Sequence, residues 1–289
     1  MTEPVTFLHL TDLHIADAKV PDLGTHSDTV ATMQTVREII ATIDPAPAFI
    51  AISGDLTDRG DAASYRLLRE LLSGFEMPLL LALGNHDSRA GFYEAYLGTP
   101  NRQGYYDHDA VVAGVHVITL DSSRPHTIGG ELDETQFDWL EARLAAHSGL
   151  PKVLMLHHPL SLDGDLAGEW ETLRVTDTDR LAEMIAGRGV AAILSGHIHQ
   201  DRVSMIGETP LIVTQGQHTV LDALAGPEVL RMLHGASFAV CTLQAGRGAG
   251  AAAAISVNYV TLPSDRRLLG EIEMDRLRRI EAEKKAAAG

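Results

Sequence analysis

Short apolar runs that end in polar clusters recur along this chain. Val5–Leu10 leads into Thr11-Asp12-Leu13-His14, Ala48–Ile52 into Ser53-Gly54-Asp55, and Leu79–Leu83 into Gly84-Asn85-His86-Asp87. Val115–Leu120 before Asp121-Ser122-Ser123, Val153–Leu156 before His157-His158-Pro159, and Ala191–Leu194 before Ser195-Gly196-His197-Ile198-His199 repeat the arrangement. Apolar runs of four to six residues are too short for helices and read as buried strands.

Helical patterns lie between them at Thr29–Ile43, Ala62–Leu72, Glu134–His147 and Asp179–Arg188. In the third, Phe137, Leu140 and Leu144 recur at helical spacing behind Asp133 and Glu134, acids that suit the positive end of the helix dipole. Alternating strands and helices predict an α/β fold with a substantial parallel sheet. Open α/β sheets gather ligands beyond the carboxyl ends of their strands, where every polar cluster named above falls.

After about Asp201 the pattern changes to short β-like runs at Leu211–Thr214, Phe238–Leu243 and Ile255–Leu262, the last two separated by the Gly/Ala-rich stretch Ala245–Ala254, read as a surface hairpin connection. From Ser264 both charge signs mix with Leu269, Ile272, Leu277 and Ile280 on one helical stripe. That stripe predicts a solvated terminal helix, with a homodimer or higher homo-oligomer contact as the alternative. The expected organisation is a catalytic core over 1–200, remaining core strands with a cap or dimerisation hairpin over 201–262, and a charged helix or tail over 263–289.

With 289 residues, 45% of them hydrophobic, the chain can bury a full core. No apolar run approaches the roughly 20 residues that span a bilayer, and no basic leader precedes the first strand, so the expected address is cytoplasmic, with no membrane partner. The single cysteine, Cys241, lies in an apolar stretch and reads as a packed thiol. A formal charge of −16 argues against a broad nucleic-acid surface, which needs clustered Lys and Arg. If small anions are bound, bound metal ions are the simplest way to concentrate positive charge in one cleft.

Singly, the clusters are weak signals. Asp12 and His14 are two apart, and in extended chain such residues point the same way and can share one ion, but the pair could equally be a turn acid beside a surface histidine. Asp55 could cap a helix, and Asn85 could form a turn. Jointly, five clusters at five strand ends, all offering carboxylate, amide oxygen or imidazole, point to metal ligation. Mixed imidazole and oxygen donors without thiolate suit Zn, Mn or Fe rather than a cysteine-rich structural zinc site.

The segments DLH, GDLTDRG, GNHD, HHP and GHIH, in this order and spacing, resemble the calcineurin-like metallophosphoesterase superfamily over roughly residues 5–200. GNHD, LDSSRP at Leu120–Pro125 and the stretch Gly129–Leu144 are most similar to bacterial class III cyclic-nucleotide phosphodiesterases and glycerophosphodiesterases. The resemblance implies a four-layer α/β/β/α sandwich, here with a β-rich C-terminal extension. It implies two divalent or trivalent metal ions, one held by Asp12, His14 and His199, the other by Asn85, His157 and His197, with Asp55 bridging. His86, in the matched motif but assigned to neither metal, would bind phosphate and protonate the leaving group.

Asp87 is expected to orient its neighbours, and His158 to serve structure or support the ligands rather than bind directly. His218 could line the cleft, Asp58 and Arg59 would form a turn salt bridge, and His9 would be a packed core histidine. His26, His108, His116, His126, His147 and His234 read as surface or loop residues. Leu83 and Leu160 stand where prolines are common in the family, and neither touches a ligand.

The implied reaction is in-line attack of metal-bound hydroxide on a small phosphodiester, without a phosphoenzyme. A phosphomonoesterase, a nucleotide-lipid pyrophosphatase, a DNA-processing nuclease and a non-catalytic scaffold are the alternatives.

Overall fold

The computed structural model describes residues 3–17, 27–125, 127–162, 170–244, 246 and 253–288. Two sheets stack face to face. The first holds β1 (Val5–Leu10), β2 (Ile50–Ile52), β3 (Leu79–Leu81), β12 (Ser237–Gln244) and β13 (Ala254–Thr261) in the order β13-β12-β1-β2-β3. The second holds β4 (His108–Val112), β5 (Val115–Thr119), β6 (Lys152–Met155), β7 (Val190–Ser195), β8 (Arg202–Ile206) and β9 (Thr209–Val213) in the order β4-β5-β6-β7-β9-β8. β1, β2 and β3 run parallel, as do β5, β6, β7 and β9, so the carboxyl ends of the central strands in each sheet form one rim.

Side-chain alternation assigns the layers. On β1 and β2, Leu8, Leu10, Ile50 and Ile52 face α1 (Thr29–Ile40) and α2 (Ala62–Leu72), while Phe7 and Ala51 face the other sheet. Val153, Met155, Ala192 and Leu194 meet them from β6 and β7, and Phe7 stacks on Phe49 at 4.7 Å. The opposite face of the second sheet, including Leu154 and Ile193, packs on α4 (Glu134–Ala145) and α5 (Val175–Ile185) through Phe137, Leu140, Leu144, Leu181 and Ile185. The result is the α/β/β/α sandwich expected from the sequence. Cys241 lies between the sheets, where burial pushes its thiol pKa up to about 12.

Local chemistry fixes the helix starts. Asp61 caps α2 by accepting from the N–H groups of Ala63 and Ser64, and Asp133 and Gln136 form a reciprocal capping box on α4. The fourth helix begins at Val175, earlier than the expected Asp179, because the β-branched pair Val175-Thr176 hides its first turn from pattern reading. A short turn, α3 (Arg89–Gly91), runs into a π-helical segment, Phe92–Tyr96, whose Phe92 packs against Tyr65 of α2.

Beyond residue 201, β8, β9, β12 and β13 complete the two sheets. β10 (Val220–Leu221), β11 (Val229–Leu233) and β14 (Leu268–Glu273) form a separate three-stranded sheet that leads into α6 (Met274–Ala288). The expected single terminal helix from Ser264 is therefore corrected. Leu269 and Ile272 sit on β14, which pairs with β11, because a partner strand distant in sequence overrides their helical spacing. His116 is also corrected, from surface residue to a fully buried one on β5, its Nε2 2.8 Å from Asp109 Oδ2. His26, His126 and most of Ala245–Ala254 lie outside the described residues. Among the described residues, no helix is long and apolar enough to cross a membrane.

Candidate metal centre

The rim collects Asp12 and His14 after β1, Asp55 after β2, and Asn85 and His86 after β3, with His157 after β6 and His197 and His199 after β7. Both sheets contribute, and backbone bonds join the loops, with Asp12 N–H donating to Gly54 O at 3.0 Å and His14 N–H to Asp55 O at 2.9 Å. Asp12, His14, Asp55, His197 and His199 all have positive φ, between 42° and 71°. The extended geometry expected for Asp12-Leu13-His14 is thus corrected, since the side chains converge through left-handed turns. Such conformations are costly for non-glycine residues and persist where the surroundings over-determine them. Gly54 has φ +106°, and a Cβ there would meet His157 Nδ1 at 2.6 Å, so the loop after β2 closes on the second sheet only with glycine.

Each carboxylate is anchored by one oxygen and presents the other. Asp12 Oδ2 accepts from His197 N–H at 3.0 Å, and Asp55 Oδ1 from His86 N–H at 2.9 Å. The outward oxygens then meet imidazole. Asp12 Oδ1 is 3.2 Å from His199 Nε2 and 3.8 Å from His14 Nε2, and Asp55 Oδ2 is 3.2 Å from His157 Nε2 and 3.6 Å from His14 Nε2. Donors sharing an ion at about 2.0–2.2 Å stand roughly 3.0–3.5 Å from one another, close to these separations. Asp55 Oδ2 thus lies between the imidazoles of His14 and His157.

The imidazoles are oriented in the same way. His157 Nδ1–H donates to Ser53 O at 2.9 Å, His197 Nε2–H to Trp170 O at 2.6 Å, and His199 Nδ1–H to Thr219 O at 3.0 Å. A carbonyl only accepts, so the other nitrogen of each ring is the one left for the site. His14 Nδ1 is 3.3 Å from Asp58 Oδ1, which leaves His14 Nε2 for the site.

Electrostatics and hydrogen bonding both fit a cation. Asp12 Oδ1, His14 Nε2, Asn85 Oδ1 and His157 Nε2 are buried and lack hydrogen-bond partners among the described residues. Each such group costs about 1–3 kcal/mol, a cost that a shared ion offsets. Burial opposes ionisation of Asp12 and Asp55, yet the histidines outweigh it and hold both carboxyls well below the usual range. Burial alone would lower the His14 and His157 pKa values, but the facing aspartates outweigh it and hold them near 10 and 9. The field therefore attracts positive charge in a chain of net charge −16. The donor set fits two metal ions, with oxygen and imidazole in each group.

The remaining site residues surround this set. His86 is half exposed, with Nδ1 2.8 Å from Asp58 O and its ring 4.6 Å from that of His14. Asp87 accepts from the N–H groups of Leu56, Thr57 and Gly84 and from Tyr65 Oη, tying the Asp55 loop to the Asn85 loop. His158 has both ring nitrogens engaged, with Ser122 Oγ at 2.8 Å and Ile128 O at 2.9 Å, so it supports the rim rather than facing an ion. The His218 ring lies 4.5 Å from that of His14. His9 is enclosed, with Nε2 2.9 Å from Ser53 Oγ, and burial lowers its pKa to about 3.

Sequence reasoning missed several supports. Asp58 pairs with Arg59 at 3.6 Å but also orients His14, while Trp170 and Thr219 act through main-chain oxygens that leave no side-chain signal.

The family model for calcineurin-like phosphoesterases matches residues 5–201. The chain belongs to this family. It is 32% identical over 209 residues to a protein of Rhodococcus erythropolis named a probable cyclic nucleotide phosphodiesterase, covering 70% of this chain and 68% of that one. It is 27% identical over 202 residues to a glycerophosphodiester phosphodiesterase of Enterobacter lignolyticus, covering 66% and 69%. Among solved structures, a purple acid phosphatase from yellow lupin shares the fold with a TM-score of 0.64 at 13% identity, over 94% of this chain and 54% of that one.

Proposed function

We propose that this phosphoesterase is a dinuclear metal-dependent phosphodiesterase acting on small diesters of the 3′,5′-cyclic nucleotide or glycerophosphodiester type. The observation that carries the proposal is Asp55 Oδ2 poised between His14 Nε2 at 3.6 Å and His157 Nε2 at 3.2 Å. The names of the two relatives supply the substrate class.

Asp12, His14 and His199 would hold one ion and Asn85, His157 and His197 the other, with Asp55 shared. The oxygen and imidazole donors suit Mn, Fe or Zn. Two ions bound there supply Lewis-acid polarisation of a phosphoryl group and activation of water. The residues do the positioning. Asp58 O and the Asp55 loop fix the His86 ring, whose Nε2 is the nitrogen left to meet the phosphate and, in the protonated ring, would deliver a proton to the leaving oxygen. Asp87 keeps the loops carrying Asp55 and Asn85 in register.

The test is hydrolysis of bis-p-nitrophenyl phosphate against p-nitrophenyl phosphate by Mn²⁺-reconstituted protein, followed by 3′,5′-cyclic nucleotides and glycerophosphodiesters. Strong preference for the monoester overturns the diesterase assignment.

A further inference from the structure

A cavity lies behind the loop that carries His197 and His199. Its volume is about 360 Å³, and its wall includes Ile198 and Gln200, which flank His199 in sequence. Arg202, Arg231 and Arg278 border it, as do Trp170, Leu221 and Leu230. This volume falls within the range of small-molecule sites.

The wall carries three arginines against two acids, Glu171 and Asp222. Arg231 pairs with Asp222 at 3.3 Å and with Glu271 at 2.7 Å, and Arg278 pairs with Asp275 at 2.9 Å. Arg202 forms no hydrogen bond or ion pair through its guanidinium among the described residues, and its Nε is enclosed without a partner. Glu171, also in the wall, acts on it through its charge from beyond ion-pair distance. A partly buried guanidinium with its planar fork of donors unused is a ready seat for phosphate or carboxylate. Burial also pulls the Arg202 pKa below its usual value, the mark of a cation lacking compensation.

We propose that this cavity binds a small organic anion, its phosphate or carboxylate head on Arg202 and its apolar body against Ile198, Leu221 and Leu230. The site is distinct from the metal centre but mechanically joined to it. Trp170, 6% exposed in the cavity wall, accepts from His197 through its carbonyl at 2.6 Å, and Leu221 N–H donates to His199 O at 3.1 Å. An occupant would therefore press on the main-chain supports of both histidines.

The test uses the full-length, metal-loaded protein. Trp139 and Trp170 are its two tryptophans, so Trp139→Phe makes Trp170 the sole reporter. Titration with hexyl phosphate and with hexanoate is expected to give a saturable change in Trp170 fluorescence with at least one of them, and which one responds identifies the head group. Inorganic phosphate is expected to bind at least tenfold more weakly than the responding probe. Arg202→Gln is expected to weaken binding at least tenfold and Arg202→Lys by less. No saturable signal or indifference to Arg202→Gln overturns the proposal, and inorganic phosphate binding as tightly as hexyl phosphate overturns the apolar part. No turnover is read, so the result is independent of the proposed activity.

Discussion

The backbone N–H of His86 donates to Asp55 Oδ1 over 2.9 Å, joining the loops after β2 and β3 alongside the bonds that Asp87 accepts. It turns Asp55 Oδ2 toward His14 and His157 while fixing the main chain beneath the His86 ring. The Asp55 carboxylate and the half-exposed His86 ring are thus set by one peptide.

Asp55→Ala removes the shared oxygen and leaves the His86 N–H without its acceptor. Turnover of bis-p-nitrophenyl phosphate is expected to fall by at least about 10³-fold. Metal analysis of the purified variant is expected to find less than one ion per chain, and two retained ions would refute the shared-ligand role.

Asp58→Ala takes away the carboxylate that holds His14 Nδ1, without touching a donor atom. Second-layer losses of this kind typically cost about 10–100-fold in metal affinity or activity. Competition with a chelator should register that loss, and unchanged affinity would show that Asp58 serves only the turn and Arg59.

His86→Ala is expected to leave metal content intact and to lower kcat by about 10²–10⁴-fold. The loss should be larger for an alkyl leaving group than for p-nitrophenoxide, which needs little protonation. Equal losses for both leaving groups would exclude proton delivery, and loss of both metals would exclude a purely substrate-facing role.

Asp107 gives a stability test away from the cleft. Burial raises its pKa from 3.8 to about 6, so the folded chain binds this proton more tightly than the unfolded chain does. Stability therefore falls as pH rises from about 4 to about 6, and the deficit persists above that window. Asp107→Asn keeps an oxygen for Asp121 N–H at 2.8 Å and Gln136 Nε2 at 3.0 Å. It is expected to stabilise the protein by about 1–2 kcal/mol at pH 8 and to change little at pH 4. Denaturant unfolding at the two pH values measures this, and equal effects at both would disprove the linkage.

The sequence by itself determined the strand and helix alternation, because burial on both faces of a central strand writes continuous apolar runs and each run ended in its own polar cluster, while the layers and the family followed from the resemblance those clusters carry. It also supplied the candidate donors, since carboxylate, amide and imidazole are identities rather than positions. Only the tertiary structure decided how they converge. Asp12 and His14 meet through left-handed turns that the extended-strand argument did not foresee, held by Gly54 and Asp55 carbonyls from the neighbouring loop. It decided which nitrogen each imidazole presents, because Ser53, Trp170 and Thr219 act through main-chain carbonyls that any residue could offer. It also placed Leu269 and Ile272 on a strand, since pairing with β11 is a long-range contact to which helical periodicity is blind.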